Sequence, residues 1–266
     1  MVKLTYSNLI SSTKYDIGGC LLKKHTFQFL IIALLLGYLS FGILVISNTS
    51  FGEIFTNPLH LALLFFGFLS PLISSVIVYI VKKSDLGGLP GFLNNFSMKF
   101  SNENFVLLII LLATHYAFGI IFNAVGAYGK FVDFFKYLPI ILIIIGSQEI
   151  GWRKIIQPYF EKEKGFYKSI IITGLFWAIW FLPLVFIRGF LVNPEFYTQF
   201  AIYLIGLSFL LTTIFKITKQ VSYSMILSSL IISLTPVIIF KQDNIIMVIA
   251  ILEILVASIL KNKEFA

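Results

Sequence analysis

Long apolar runs without a single charge set the first limit on what this chain can become. FLIIALLLGYLSFGILVI, residues 29 to 46, is the earliest of them. Eighteen such residues are enough to read as a bilayer-crossing segment. Eight predominantly apolar runs, most of them with one charge or none, are candidate spans: about 27–47, 59–81, 105–125, 137–158, 167–187, 197–215, 222–240 and 244–260. A bilayer offers the backbone no hydrogen-bond partners, so a chain crosses it either as helices or as a closed barrel. The runs here are continuous and lack the alternation of barrel strands. The expected fold class is therefore all-α, a polytopic transmembrane helical bundle of about eight spans. Composition agrees: 58% of residues are hydrophobic, 12% are charged and mean hydropathy is +0.95, well away from a soluble domain.

Charge then supplies topology. The formal net charge of +8 does not indicate nucleic acid, because the basic residues fall singly or in pairs between apolar runs and form no phosphate-binding face. With eight spans and the N-terminus inside, 16 of the 20 basic residues lie in inside segments, leaving Lys130, Lys136, Arg188 and Lys241 outside. That asymmetry is the positive-inside pattern. It predicts a multi-pass protein of the cell (plasma) membrane with both termini cytoplasmic. The first run begins near Phe27 with no small-residue cleavage site behind it, and so reads as a retained anchor. Cys20 is the only cysteine, which excludes an intramolecular disulfide and a CxxC metal pair. Ser84 to Phe100 reads as a loop followed by a short interfacial helix. No fixed-period repeat or long linker appears, so residues 1–266 read as one integral membrane domain.

Polar groups inside the runs are few: His60, His115, Gln148, Glu149, Arg153 and Glu253. Ionisable groups in a span are costly and usually face partners in the bundle interior. Glu149 and Arg153 stand four apart, acid first, the favoured orientation for a helical pair. Two readings stay open: a pair bracing a functional cavity, or an arginine that snorkels to the headgroups with Glu149 neutralising it. His115 is the lone histidine deep in a span, and a substitute site built from Glu149 and His115 is a further option. Glu253 reads either as a buried acid or as a residue near the lipid interface. Serines 222, 224, 228, 229 and 233 give the seventh run a small-residue face suited to close helix packing. A serine nucleophile would need an accompanying base, and none stands at a suitable spacing.

SQEIGWRKIIQPYF, Ser147 to Phe160, resembles the first motif of the CPBP family, the CAAX prenyl proteases and bacteriocin-processing or immunity proteins also called Abi. Members of that family show EExxxR near the cytoplasmic end of a helix. WAIWFLP, Trp177 to Pro183, is similar to the family's FxxxH segment, and SMILSSLIISLTP, Ser224 to Pro236, takes the position of its HxxxN or HxxxD motif. The resemblance implies a CAAX-protease-like bundle with its core at about residues 105–260 and a cavity open to the cytoplasmic leaflet. Carried over residue by residue, the family's general base falls on Gln148, its second glutamate on Glu149 and its arginine on Arg153. The second motif falls on Trp177 and Phe181, and the third on Ser229 and Ser233, or one residue earlier on Ser228 and Ile232. Base and histidine positions are thus substituted.

Peptide hydrolysis needs a water activated by a base or metal and a stabilised oxyanion. Gln148, Phe181, Ser229 and Ser233 offer no base, and amides and hydroxyls make a poor divalent-metal set. No metal or cofactor is expected. The reading favoured by these substitutions is a non-proteolytic CAAX-type membrane protein that binds a peptide or a membrane-protein partner, in bacteriocin immunity or in scaffolding a membrane or cell-wall enzyme. The alternative is an active intramembrane endopeptidase with an altered site. A small transporter lined by Glu149, Arg153 and Glu253 fits less well, because two matching halves with interrupted helices are absent.

Overall fold

Apolar runs this long bury their backbone hydrogen bonds within themselves, and helices form in each of the eight. The computed structural model describes the backbone of residues 6–121, 125–127, 129–190, 193–235, 237–240 and 243–264. It describes side chains between residues 23 and 261, apart from 84, 118, 122–125, 127–128, 191–192, 236 and 239–244. Sequence readings of Lys3, Lys14, Cys20, Lys241 and Lys263 fall outside those side chains.

The first half runs α1 (Tyr6–Ile46), α2 (Phe51–Ile54), α3 (Pro58–Val81), the short α4 (Lys83–Leu86) and α5 (Gly88–Leu93), then α6 (Asn102–Ile121). Strand β1 (Val125–Ala127) precedes α7 (Phe131–Ile144). A 3-10 turn (Gly146–Gln148) and a π-helix (Ile150–Ile156) lead into α8 (Gln157–Lys164). The remainder is α9 (Phe166–Phe181), α10 (Tyr197–Thr218), α11 (Val221–Leu234), strand β2 (Ile238–Phe240) and α12 (Asp243–Glu264). Local chemistry sets several boundaries. Asn57 caps α3 by accepting from the backbone N–H groups of Leu59 and His60, and Gly87 ends α4 at φ 81°, where glycine carries no Cβ penalty.

Among the described residues, five segments are long and apolar enough to cross a membrane: Lys23–Ile46, Pro58–Val81, Phe131–Lys164, Phe166–Phe186 and Pro194–Thr218. Helices α6, α11 and α12 occupy the other three runs. The seventh run departs from expectation. Its helix stops at Leu234, just ahead of Pro236, and at 14 residues it rises only ~21 Å, short of a ~30 Å hydrocarbon core. The run then becomes β2, which pairs antiparallel with β1 in the register Val125↔Phe240 and Ala127↔Ile238. The fifth run likewise leaves the α-helical path at Pro183, continuing as a 3-10 segment, Leu182–Phe186.

The basic loops collect at one end of the bundle, as the contacts between them show. Phe27 of α1 meets Tyr159 of α8, Gln220 at the head of α11 bonds the backbone of Lys99, Lys216 pairs with Glu161, and Lys261 lies over Tyr167. At the opposite end, the backbone N–H of Phe51 donates to the Arg188 carbonyl at 2.7 Å. Between the ends, α1 packs along α3 and α10 along α12. The interior is aromatic around Phe41, Phe68, Trp180 and Phe181.

Candidate functional site

Glu149 and Arg153 are fully buried, which excludes the reading of an arginine reaching for the headgroups. Arg153 does not snorkel. Its Nε donates to Glu149 Oε2 at 2.7 Å. Its Nη1 donates to Ser208 Oγ at 2.8 Å, Thr212 Oγ1 at 3.1 Å and Gln157 Oε1 at 3.2 Å. Thr212 in turn donates to Gln157 Oε1 at 2.7 Å. A guanidinium carries five donors in a rigid fork, so enclosing it requires several oxygens at once.

The backbone makes this enclosure possible. Ile150–Ile156 is a π-helix, not the α-helix the spacing suggests. Bonding from i to i+5 winds the chain more slowly, so residues four apart stay close to one face. Glu149, Arg153 and Gln157 form a continuous polar stripe along it. Thr26 of α1 donates to the Ile155 carbonyl at 3.1 Å, satisfying one acceptor inside the widened segment. Ser208 and Thr212, four apart on α10, present the facing stripe.

Gln148 occupies the 3-10 turn ahead of the π-helix and is fully buried. Its Nε2 donates to two backbone carbonyls, Ile144 at 2.6 Å and Phe68 at 2.8 Å. Both amide hydrogens are engaged. The Phe68 ring also meets Phe181, centroids 6.4 Å apart, and Phe181 packs against Trp177, Trp180 and Phe200. Ser229 reaches the same turn from α11. A Cβ added to Gly146 would stand 2.5 Å from Ser229 Oγ and 2.8 Å from the Met225 carbonyl, so only glycine admits this approach. Ser229 Oγ itself donates to the Met225 carbonyl at 2.6 Å. Ser233, one turn on, is buried with its hydroxyl unpaired.

The first and third sequence segments therefore meet at one turn, and the second is tied to it through Phe68. Gln148 and Ser229 meet there, Phe181 is linked to it through the ring of Phe68, whose carbonyl accepts from Gln148, and Glu149 and Arg153 follow on the same segment. Beside it lies a cavity of about 260 Å³ lined by Leu72, Phe96, Met98, Leu142, Ile143, Ser147, Ser222, Met225 and Ile226. Its walls are apolar except for the two serines. The Ser147 hydroxyl donates to the Ile143 carbonyl, while that of Ser222 is unpaired.

His115 and Glu149 are not joined into a substitute site. His115 Nδ1 bonds Glu253 Oε1 at 2.7 Å, and its Nε2 faces the Tyr203 hydroxyl at 3.3 Å. Glu253 is fully buried, so it is an interior acid and not a residue of the lipid interface. This second polar cluster ties α6, α10 and α12 together. Sequence reasoning passed over Gln157, Ser208, Thr212 and Tyr203. The first three carried a signal, since hydrogen-bonding residues at a spacing of four interrupt apolar or helical stretches.

Chemically, the turn has little with which to activate water. Gln148 takes up no proton, and Phe181 has no donor or acceptor. Among the described residues no three His, Cys, Asp or Glu side chains group so as to hold a metal ion. Gln148, Phe181, Ser229 and Ser233 do not fit a divalent ion, whose common ligands are imidazole, thiolate and carboxylate.

Residues 130–234, which contain the first two segments and the third as far as Leu234, match the family model described as Type II CAAX prenyl endopeptidase Rce1-like. The chain is also similar to a CAAX prenyl protease 2 of Methanococcus maripaludis, with 29% identity over 85 residues, covering 32% of this chain and 31% of that protein. The aligned part thus spans under a third of that relative. Both matches support the CAAX prenyl protease (CPBP) family, and the helical membrane bundle is consistent with it.

Proposed function

We propose that this multi-pass, CAAX-protease-like membrane protein binds a peptide or a membrane partner at the Gln148 turn without hydrolysing it. The observation that carries the reading is the Gln148 amide, whose two hydrogens are held by the Ile144 and Phe68 carbonyls at the position equated with the family's base. A carboxylate there would face two carbonyl oxygens instead of donating to them. The supporting frame of Glu149, Arg153, Gln157, Ser208 and Thr212 holds the turn in shape, and the adjoining cavity accommodates an apolar part of the partner. Self-immunity to a bacteriocin and scaffolding of a membrane or cell-wall enzyme are the roles this frame suits. On the positive-inside principle, the lysine-rich end faces the cytoplasm at the plasma membrane, and the whole chain works as one membrane domain.

A second reading, an active endopeptidase with an altered site, draws on one feature: Glu149 Oε1 is buried without a partner and is the carboxylate left at the turn. Purified full-length protein in detergent, incubated with prenylated CAAX peptides and with leader-bearing peptides, separates the two. No product above a protein-free blank is expected by mass spectrometry. Cleavage that disappears in Glu149→Ala would overturn the binding reading. The combined changes Gln148→Glu, Phe181→His, Ser229→His and Ser233→Asn are expected to create cleavage where the native chain has none.

A further inference from the structure

The turn between α8 and α9 reads Lys162-Glu163-Lys164-Gly165-Phe166-Tyr167-Lys168. Gly165 reverses the chain at φ 79°, a left-handed conformation other residues rarely adopt. Lys162, Lys164 and Lys168 are exposed around it, and Lys154 is exposed one helix earlier. A fifth lysine arrives from the far end of the chain. Lys261 of α12 places its Nζ 4.3 Å from the Tyr167 ring centroid and 4.8 Å from that of Phe166.

Among the described residues, none of these five lysines has a carboxylate in ion-pair range, whereas neighbouring Lys216 takes Glu161 at 2.6 Å. The apolar span of α9 begins at Phe166 itself, so the patch sits at the boundary between the apolar bundle and water. Aromatic rings and lysines with apolar stems gather where lipid headgroups lie. Charge without a protein counter-ion, at headgroup depth and beside two interfacial rings, identifies the complementary partner.

We propose that the α8–α9 turn, with Lys154 and Lys261, is a binding surface for the anionic headgroups of phospholipids. The turn joins the segment bearing Gln148, Glu149 and Arg153 to the helix bearing Trp177 and Phe181. Phe160 and Phe176 stack across that hairpin, centroids 5.9 Å apart. A headgroup held at the turn therefore restrains both arms of the candidate site.

The test is native mass spectrometry of detergent-purified full-length protein carrying phosphatidylglycerol or phosphatidylcholine. Wild type is expected to retain phosphatidylglycerol preferentially, and the combined variant Lys162→Gln, Lys164→Gln, Lys168→Gln is expected to lose on the order of a hundredfold of that preference, as lysines near an anionic surface act roughly additively. The altered side chains are exposed, and an unchanged melting temperature checks that the variant folds. A control, Lys23→Gln, Lys24→Gln, Lys83→Gln, neutralises exposed charges elsewhere at the same end and should keep the preference. Equal retention of both lipids overturns the proposal. So does an equal loss in the control, which would mean that net charge and not this turn is read. Displacement of phosphatidylglycerol by inorganic phosphate at equal concentration overturns it too, since the site would then bind anions regardless of lipid.

Discussion

Two buried acid–base pairs stand in the same bundle and are built in opposite ways. Glu149 and Arg153 lie four residues apart on one helical segment. Glu253 and His115 lie 138 residues apart in sequence and meet only because α12 and α6 flank α10. Their chemistry differs as well. A guanidinium does not shed its proton in a protein, so Arg153 needs oxygens around it in every state. It has Glu149, Gln157, Ser208 and Thr212. An imidazole exists neutral or charged, so one carboxylate and one hydroxyl suffice for His115. The local pair is thus the more demanding of the two, and Ser208 and Thr212, one turn of α10, serve it.

The comparison breaks first at Glu149. Replacing it by alanine strands a buried, permanently charged arginine, and the expected loss is about 3–5 kcal/mol of stability, read from thermal unfolding in detergent. Glu149→Ala melting closer to wild type than a Glu253 variant would refute the contrast. Next comes Gly206→Ala. A Cβ there would stand 2.5 Å from Ala250 Cα and 2.7 Å from Glu253 Oε2, pushing α12 from α10 at a cost of about 1–3 kcal/mol of overpacking. The Arg153 network should be unaffected, so cleavage and binding assays at the Gln148 turn should not change.

Glu253→Gln keeps the shape and replaces the carboxylate beside His115 with a neutral amide. About 1 kcal/mol is expected, the scale of an interhelical hydrogen bond in a membrane, and a double-mutant cycle with His115→Gln would measure the coupling. The smallest effect belongs to an acid outside the membrane. The backbone N–H of Ser50 donates to Glu53 at 2.8 Å, and this bond, with the Ser50 hydroxyl, holds the Glu53 carboxyl below its ordinary value of 4.5. Stability from a lowered carboxylate is present above the unfolded pKa and lost as pH falls through the folded one. Unfolding measured from pH 6 down to pH 3 should show a slight fall below about 4.5 that Glu53→Gln removes.

Much of the first pair was legible in the sequence. A carboxylate and a guanidinium at helical spacing, in an apolar run, announce one another. The π-helix beneath them was not, because spacing four is compatible with either winding, and the choice depends on what receives the freed backbone groups. Here Thr26 of another helix accepts that task. Gln157 was passed over because a polar residue near the end of a run does not show which neighbour it bonds. Glu253 carried two readings because nothing near it in sequence pairs with it.

Hydropathy and spacing alone determined the helical membrane bundle and the gathering of lysines at one end. These are properties of single segments, fixed by the cost of placing charge or bare backbone in hydrocarbon. Tertiary structure decided the rest: that Arg153 is enclosed, that Gly146 lets Ser229 reach the Gln148 turn, that His115 belongs to Glu253 and that the seventh run ends in a strand. Each depends on which helix lies alongside, and a buried polar group takes its partner from whichever neighbour packing brings within hydrogen-bond reach.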